Sequence, residues 1–303
     1  MSSLRFRIDE LELDDPEISE STRKSWMSVW NVLTKYVQPN SNLSVDEAIN
    51  LTAEFYAGDS MTSCPIATIS IFLGQQIPYD HPSHTKLANY LLALGRSLKR
   101  VSKSNYIGEN QERVYCHQLA DALYDQCVEL EEGEDPTEYV NNQAFTTHFM
   151  TKDLLSKHFF PVIIPMLEQS MNGAFNQDHS EEPSQVRDAW VMGASQWIIY
   201  KVEEAFSLVQ KPGDPTIRKV DAKFGFWQKK KRTCLVTEIW PYTWDQWQSW
   251  KAGFKKAAGN EAAYSLTCRN LAERAADLMS LQEKGLENGY PVSPLKDSRG
   301  QNS

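Results

Sequence analysis

The sequence predicts a mainly α protein, an irregular multi-helix bundle or helical array around a buried central helix at 185–210, with one short β-hairpin at about 220–239. Three observations predict it. Apolar residues recur at helical spacing in segment after segment. The stretch from Gln185 to Gln210 is apolar almost all round, as a helix must be to lie at the centre of a fold. Between Val220 and Ile239, the period drops to two.

The first twenty residues read as an acidic leader, rich in Asp and Glu after Arg5 and Arg7, with no apolar core of a secretory signal. A helix then carries Trp26, Val29, Trp30, Leu33 and Val37 on one face. Ser44-Val45-Asp46-Glu47 reads as a capping box opening a second helix with Val45, Ala48, Ile49, Thr52, Phe55 and Tyr56 inward, stopped by Gly58. Pro65 to Leu73 is a short, mostly apolar segment. Proline suits a helix start, while Thr68, Ile69 and Ile71 leave strand open.

Pro82-Ser83 introduces a helix with Leu87, Leu91, Leu94, Leu98 and Val101 in register. Another runs from about Asn110 to Leu130, ending at the acidic turn Glu131 to Pro136, where two helical halves of a single domain (21–284) could meet. Asp135-Pro136 starts the next, through Tyr139, Phe145 and Phe149. Pro161 and Pro165 break any helix continuing from Lys152, so one is expected to begin near either and end before Gly173. After the polar loop 176–184 comes the central helix.

Beyond it, Val220, Ala222, Phe224 and Phe226 alternate with polar residues, as do Thr233, Leu235, Thr237 and Ile239 after the basic tip Lys229 to Arg232. Thr243 can cap a helix bearing Trp247, Trp250, Phe254 and Ala257. A last helix from about Glu261 carries Tyr264, Cys268, Leu271, Ala275, Leu278 and Met279, and 285–303 has the composition of a disordered tail.

Composition narrows the function. A net charge of −9, with one compact basic run, argues against nucleic acid, which needs local cations to displace counterions. The longest apolar stretch, Phe159 to Leu167, is too short and proline-broken to span a membrane. Five scattered cysteines without a C-x-x-C pair point to reduced thiols in the cytoplasm, with the nucleus also open.

No Glu-x-x-His, H-E-x-x-H, G-x-S-x-G, G-x-G-x-x-G or Walker pattern occurs. His81-Pro82-Ser83-His84 is the one close histidine pair, and it reads as an exposed cap without further ligands. Cys116 beside His117 points away from it on a helix. Asp14-Asp15-Pro16-Glu17 precedes any helix that could wall a magnesium cavity, so no metal, cofactor or catalytic residue is assigned.

The polar run Asn141 to His148 stands out between apolar helices, where such groups either specify packing or line a site. The candidate pocket or partner surface is therefore Asn142 and His148 with the aromatic helices carrying Trp197, Tyr200, Trp247 and Trp250.

Three pieces carry a resemblance: Tyr139-Val140-Asn141-Asn142-Gln143-Ala144-Phe145, Gln196-Trp197-Ile198-Ile199-Tyr200, and Trp247-Gln248-Ser249-Trp250-Lys251-Ala252-Gly253-Phe254. In this order they resemble a fungal family known as domain of unknown function 3632, over roughly Tyr139 to Met279. Ala272, Ala275, Ala276 and Met279 fit its alanine-rich ending. The chain departs from it at Gln246, where the family favours Arg, and in the length of the 220–239 hairpin. The resemblance implies a fungal source and a helical fold, and no activity.

The reading is a non-catalytic helical binding or interaction protein whose partner is an unidentified protein or apolar small molecule. Its oligomeric state is unknown. The alternative is an enzyme or accessory factor acting on an apolar small molecule such as a fungal secondary metabolite.

Overall fold

Local chemistry starts the helices where the sequence places its polar signals. A computed structural model describes residues 3–8, 11, 18–52, 65–101, 119, 122–123, 130, 135–149, 160–210 and 242–287. Helix α1 (Glu20–Tyr36) opens at Ser19, whose side chain accepts from the Thr22 amide. Ser44 and Glu47 form the expected box at the start of α2 (Val45–Thr52). The Glu47 amide donates to Ser44 Oγ at 3.2 Å, and the Ser44 amide donates to Glu47 Oε2 at 2.8 Å.

Helix α3 (Pro65–Gln76) settles the helix-or-strand ambiguity as helix. Ile66, Ala67, Ile69, Ile71 and Leu73 are all buried, so burial around the whole circumference outweighs β-branched propensity. Helix α4 spans Ser83–Val101, with Leu87, Leu91 and Leu94 inaccessible.

Helix α5 (Pro136–Thr147) is capped by Asp135 and has Pro136 at its first turn. Every residue from Tyr139 to Thr147 is buried. Helix α6 (Phe160–Asn176) starts beside Pro161, as one of the two expected starts has it, and corrects the expected end, because it runs through Gly173. Glycine is kept at 173 by packing: a Cβ there would lie 2.5 Å from the Trp190 ring.

Helix α7 (Ser184–Ser207) is the predicted hub, packed against α5, α6 and the two C-terminal helices. Its buried face includes Trp190, Ala194, Trp197 and Ile198, and its backbone breaks at Lys201 (φ −141°, ψ 32°). It ends earlier than expected. Val209–Gln210 forms a strand, β1, paired in parallel with β2 (Tyr242–Thr243), Val209 opposite Tyr242.

Helix α8 (Trp244–Ala258) opens on a Thr243–Gln246 capping box. Helix α9 (Leu266–Glu287) starts later than Glu261 and runs through Gly285. Ser265 marks the true start. Its Oγ accepts from the Cys268 amide at 3.2 Å, and its own amide donates to Asp188 at 3.2 Å.

Among the described residues there are thus nine helices and one two-stranded parallel pair, a mainly α fold. No described helix is long and apolar enough to cross a membrane. The 220–239 hairpin with its basic tip, residues 53–60, the acidic turn at 131–134, and the tail beyond 287 lie outside the described residues. So does the 110–130 helix, apart from Leu119, Ala122, Leu123 and Leu130.

Candidate functional site

The six residues put forward by the sequence divide between places. On α5, Asn142 is buried. Trp197 of α7 is inaccessible and donates from Nε1 to Gln143 Oε1 at 2.7 Å, joining the two helices through a buried hydrogen bond. Trp247 and Trp250 pack elsewhere, on α8. Trp250 lies 4.9 Å from Tyr242 and Trp247 lies 5.0 Å from Phe206, centroid to centroid. The Trp247 Nε1 donates to Glu283 Oε1 at 2.9 Å, and the same carboxylate takes Gln248 Nε2 at 2.8 Å and the Lys251 ammonium.

His148 and Tyr200 are brought together, with ring centroids 5.4 Å apart. They have a neighbour the sequence placed wrongly. His84 is not an exposed cap; it is fully buried, 6.1 Å from His148 and 5.8 Å from Phe145. Its Nε2 lies 3.0 Å from the Gly74 carbonyl, which can only accept, so Nε2 carries the proton. Tyr200 OH donates to the Tyr79 carbonyl at 3.0 Å, tying α7 beside its Lys201 break to the α3–α4 turn.

Burial holds the His84 pKa down to about 4, against the opposing pull of the Gly74 and Ile77 carbonyls. Burial, then the adjacent His84 and Lys201, holds His148 down to about 3. Both imidazoles are therefore neutral at physiological pH. Among the described residues no group of three or more His, Cys, Asp and Glu side chains could hold a metal ion. Cys268 is a buried free thiol whose pKa is pushed up by burial and by Asp188, the reverse of an activated nucleophile.

A second arrangement lies in the segment read as an acidic leader. Residues 3–8 lie against α1 and α3, with Leu4, Phe6 and Ile8 half-buried and Ser3, Arg5 and Arg7 exposed. Two glutamine side chains grip its backbone. Gln38 Oε1 accepts from the Leu4 amide at 2.9 Å, and Gln38 Nε2 donates to the Leu4 carbonyl at 3.1 Å. Gln76 does the same to Arg7, at 2.6 and 3.0 Å. Between these clamps the Phe6 ring meets Trp30 edge-on at 6.3 Å, Trp30 leans on Phe72, and Arg7 forms an ion pair with Glu138 of α5.

Open space remains beside the segment. A groove of about 330 Å³ is lined by Leu4, Phe6, Trp30, Thr34, Lys35 and Gln38. A neighbouring one of about 490 Å³ shares Lys35 and Gln38 and reaches Asn42 and Glu47. The signal for this site was present in the sequence. Leu4-Arg5-Phe6-Arg7-Ile8 alternates at the period of an extended chain, and the acidity of the leader masked it.

A family model described as "Protein of unknown function (DUF3632)" matches residues 69–254. The chain belongs to this family. The DUF3632 match begins well before Tyr139, so the N-terminal half is anchored from α3 onward, and it stops at Phe254 rather than Met279. It takes in His84, His148, Tyr79 and Tyr200, together with Gln76 and Glu138, but neither Trp30 of α1 nor Gln38 just past that helix. No curated protein and no solved structure matches the chain.

Proposed function

We propose that this DUF3632 protein is a non-catalytic binding module that takes up an extended polypeptide. The observation that carries the reading is the seat of residues 3–8: a helical surface already holding an extended chain by both polar groups of two backbone positions. A primary amide has the donor and acceptor of a peptide group. Gln38 and Gln76 thus offer the hydrogen bonds of a sheet edge without a sheet. The aromatic side chains on α7 and α8 support the same reading, because Trp197, Trp247 and Trp250 are engaged in internal packing and hydrogen bonds rather than facing an open cavity.

The fungal setting implied by the resemblance, and the cytoplasmic location read from the scattered cysteines, belong to this proposal. The alternative, an enzyme or accessory factor for an apolar small molecule, draws support from His148 and Tyr200, a neutral imidazole against a partly exposed phenol. Peptide display against the purified full chain separates them. Enrichment of peptides with apolar residues at alternate positions is expected. Failure to enrich any peptide, with a stoichiometric apolar metabolite in the native mass spectrum, would overturn the binding-module reading.

A further inference from the structure

We propose that the groove between α1 and α3 is the docking site for an extended segment of a partner protein. That segment carries apolar residues at alternate positions and an arginine directly after the central one, and the chain's own Leu4–Ile8 occupies the site until the partner displaces it. This rests on the binding-module reading and names the site, the partner's chemistry and its regulation.

Four observations lead there. At Leu4 and Arg7 the clamps bond the backbone, which any extended sequence offers, while Gln38 Oε1 also accepts from Ser3 Oγ at 3.1 Å. Selectivity comes from between and beside them. An aromatic ring at the central position meets the Trp30 edge, and the next side chain must be cationic to pair with Glu138. The present occupant fits incompletely: its three inward side chains are only half-buried, and an open groove of about 330 Å³ runs along Leu4 and Phe6. A longer segment continuing past Lys35 and Gln38 reaches the adjoining 490 Å³ groove that residues 3–8 leave empty.

Finally, the occupant belongs to the same chain as its site. Three residues beyond Ile8, Leu11 is buried in the core and its amide donates to the Ile8 carbonyl at 3.0 Å. Being covalently joined raises the effective concentration of the occupant at its site, so a free peptide of the same sequence competes poorly and a better-fitting partner competes well.

The test uses the full chain and a fluorescein-labelled peptide of residues 3–8, read by anisotropy. The variant Phe6→Ala/Arg7→Ala weakens the occupant and leaves unchanged the side chains that receive it, Trp30, Gln38, Gln76 and Glu138. It is expected to bind the peptide at least tenfold more tightly than the native chain does. Adding Gln38→Ala and Gln76→Ala should abolish that gain.

In a second measurement on the unsubstituted chain, excess peptide should speed hydrogen exchange at the Leu4 and Arg7 amides and nowhere in α7. The proposal is overturned if the weakened variant, with native helicity by circular dichroism, binds the peptide no better than the native chain. It is equally overturned if displayed peptides bind the chain without exposing residues 3–8; in that case the binding-module reading survives and only its location fails.

Discussion

The C-terminal helices and the N-terminal layer use the same kind of polar side chain for opposite ends. On α8 and α9, Glu283 gathers Trp247, Gln248 and Lys251 into one cluster, with both charged partners largely covered. Each partner there is a side chain fixed on a rigid helix, so the network specifies how α8 and α9 pack. Just past α1 and at the end of α3, Gln38 and Gln76 instead hold the backbone of a segment outside any helix. A network among packed helices can open only if the helices separate. A clamp on an exposed segment can open while the fold stays intact.

The difference sets the order of expected effects, the largest of them in the C-terminal cluster. Trp247→Ala removes an inaccessible ring packed on Phe206 and leaves Glu283 short of a donor. It should cost about 3–5 kcal/mol of unfolding free energy by urea titration, the usual price of an emptied tryptophan site. A loss under about 1 kcal/mol would mean that α8 does not pack as a fixed part of the core.

Acid is the next test, and it acts between the helices that join them, at His84 and His148, which touch Gly74 of α3, Phe145 of α5 and Tyr200 of α7. Their folded pKa values of about 4 and about 3 lie below the usual 6.5, so the unfolded chain binds protons that the folded chain refuses. Stability is fully present above pH 6.5 and falls as the pH drops from there towards 4 for His84 and towards 3 for His148. Each histidine contributes a slope of up to about 1.4 kcal/mol per pH unit. Glu47 and Asp178, held low by Ser44 and Ser180, titrate below their ordinary 4.5 and 3.8, so the window from 6.5 to 4.5 belongs to His84 and His148, joined by His81, whose pKa burial also lowers. His148→Phe keeps a ring against Tyr200 and should remove about half of that slope. An unchanged slope would assign the acid sensitivity elsewhere.

A smaller loss is expected at Gly74, on the helix that carries one of the clamps. A Cβ there would sit 2.5 Å from the Phe145 ring, which is itself hemmed in by His84 and Phe149. Overpacking costs about 1–3 kcal/mol, while alanine gains about 1 kcal/mol in helix propensity over glycine. Gly74→Ala should therefore destabilise by about 1 kcal/mol in the same titration. A stabilised variant would show that Phe145 has room to move.

How much of this was legible in the sequence follows the same divide. The hub helix, the Ser44 capping box, the Thr243 cap and the inward tryptophans were readable because helical period and capping are local signals. The end of α6 was not, because Gly173, read as a stop, lies inside the helix against the Trp190 ring that arrives from α7. Nor was the burial of His84, which depends on Gly74 and Phe145 arriving from α3 and α5. The Leu4–Ile8 pattern was local and still missed, since its five residues lie within a charged leader.

The smallest effect on stability falls at the clamps, and it separates the two regions most cleanly. Gln38→Ala removes two hydrogen bonds to Leu4 at a partly exposed site, where each is worth about 0.5–1.5 kcal/mol at most and water replaces the lost partner. The whole-chain unfolding midpoint should therefore move by less than about 1 kcal/mol, against the several lost at Trp247. Protection of the Leu4 amide should nonetheless collapse, because local opening needs no global unfolding. If hydrogen exchange at Leu4 stayed as slow as in the native chain, the segment would be held by its apolar side chains, and the clamps would have no part in its release.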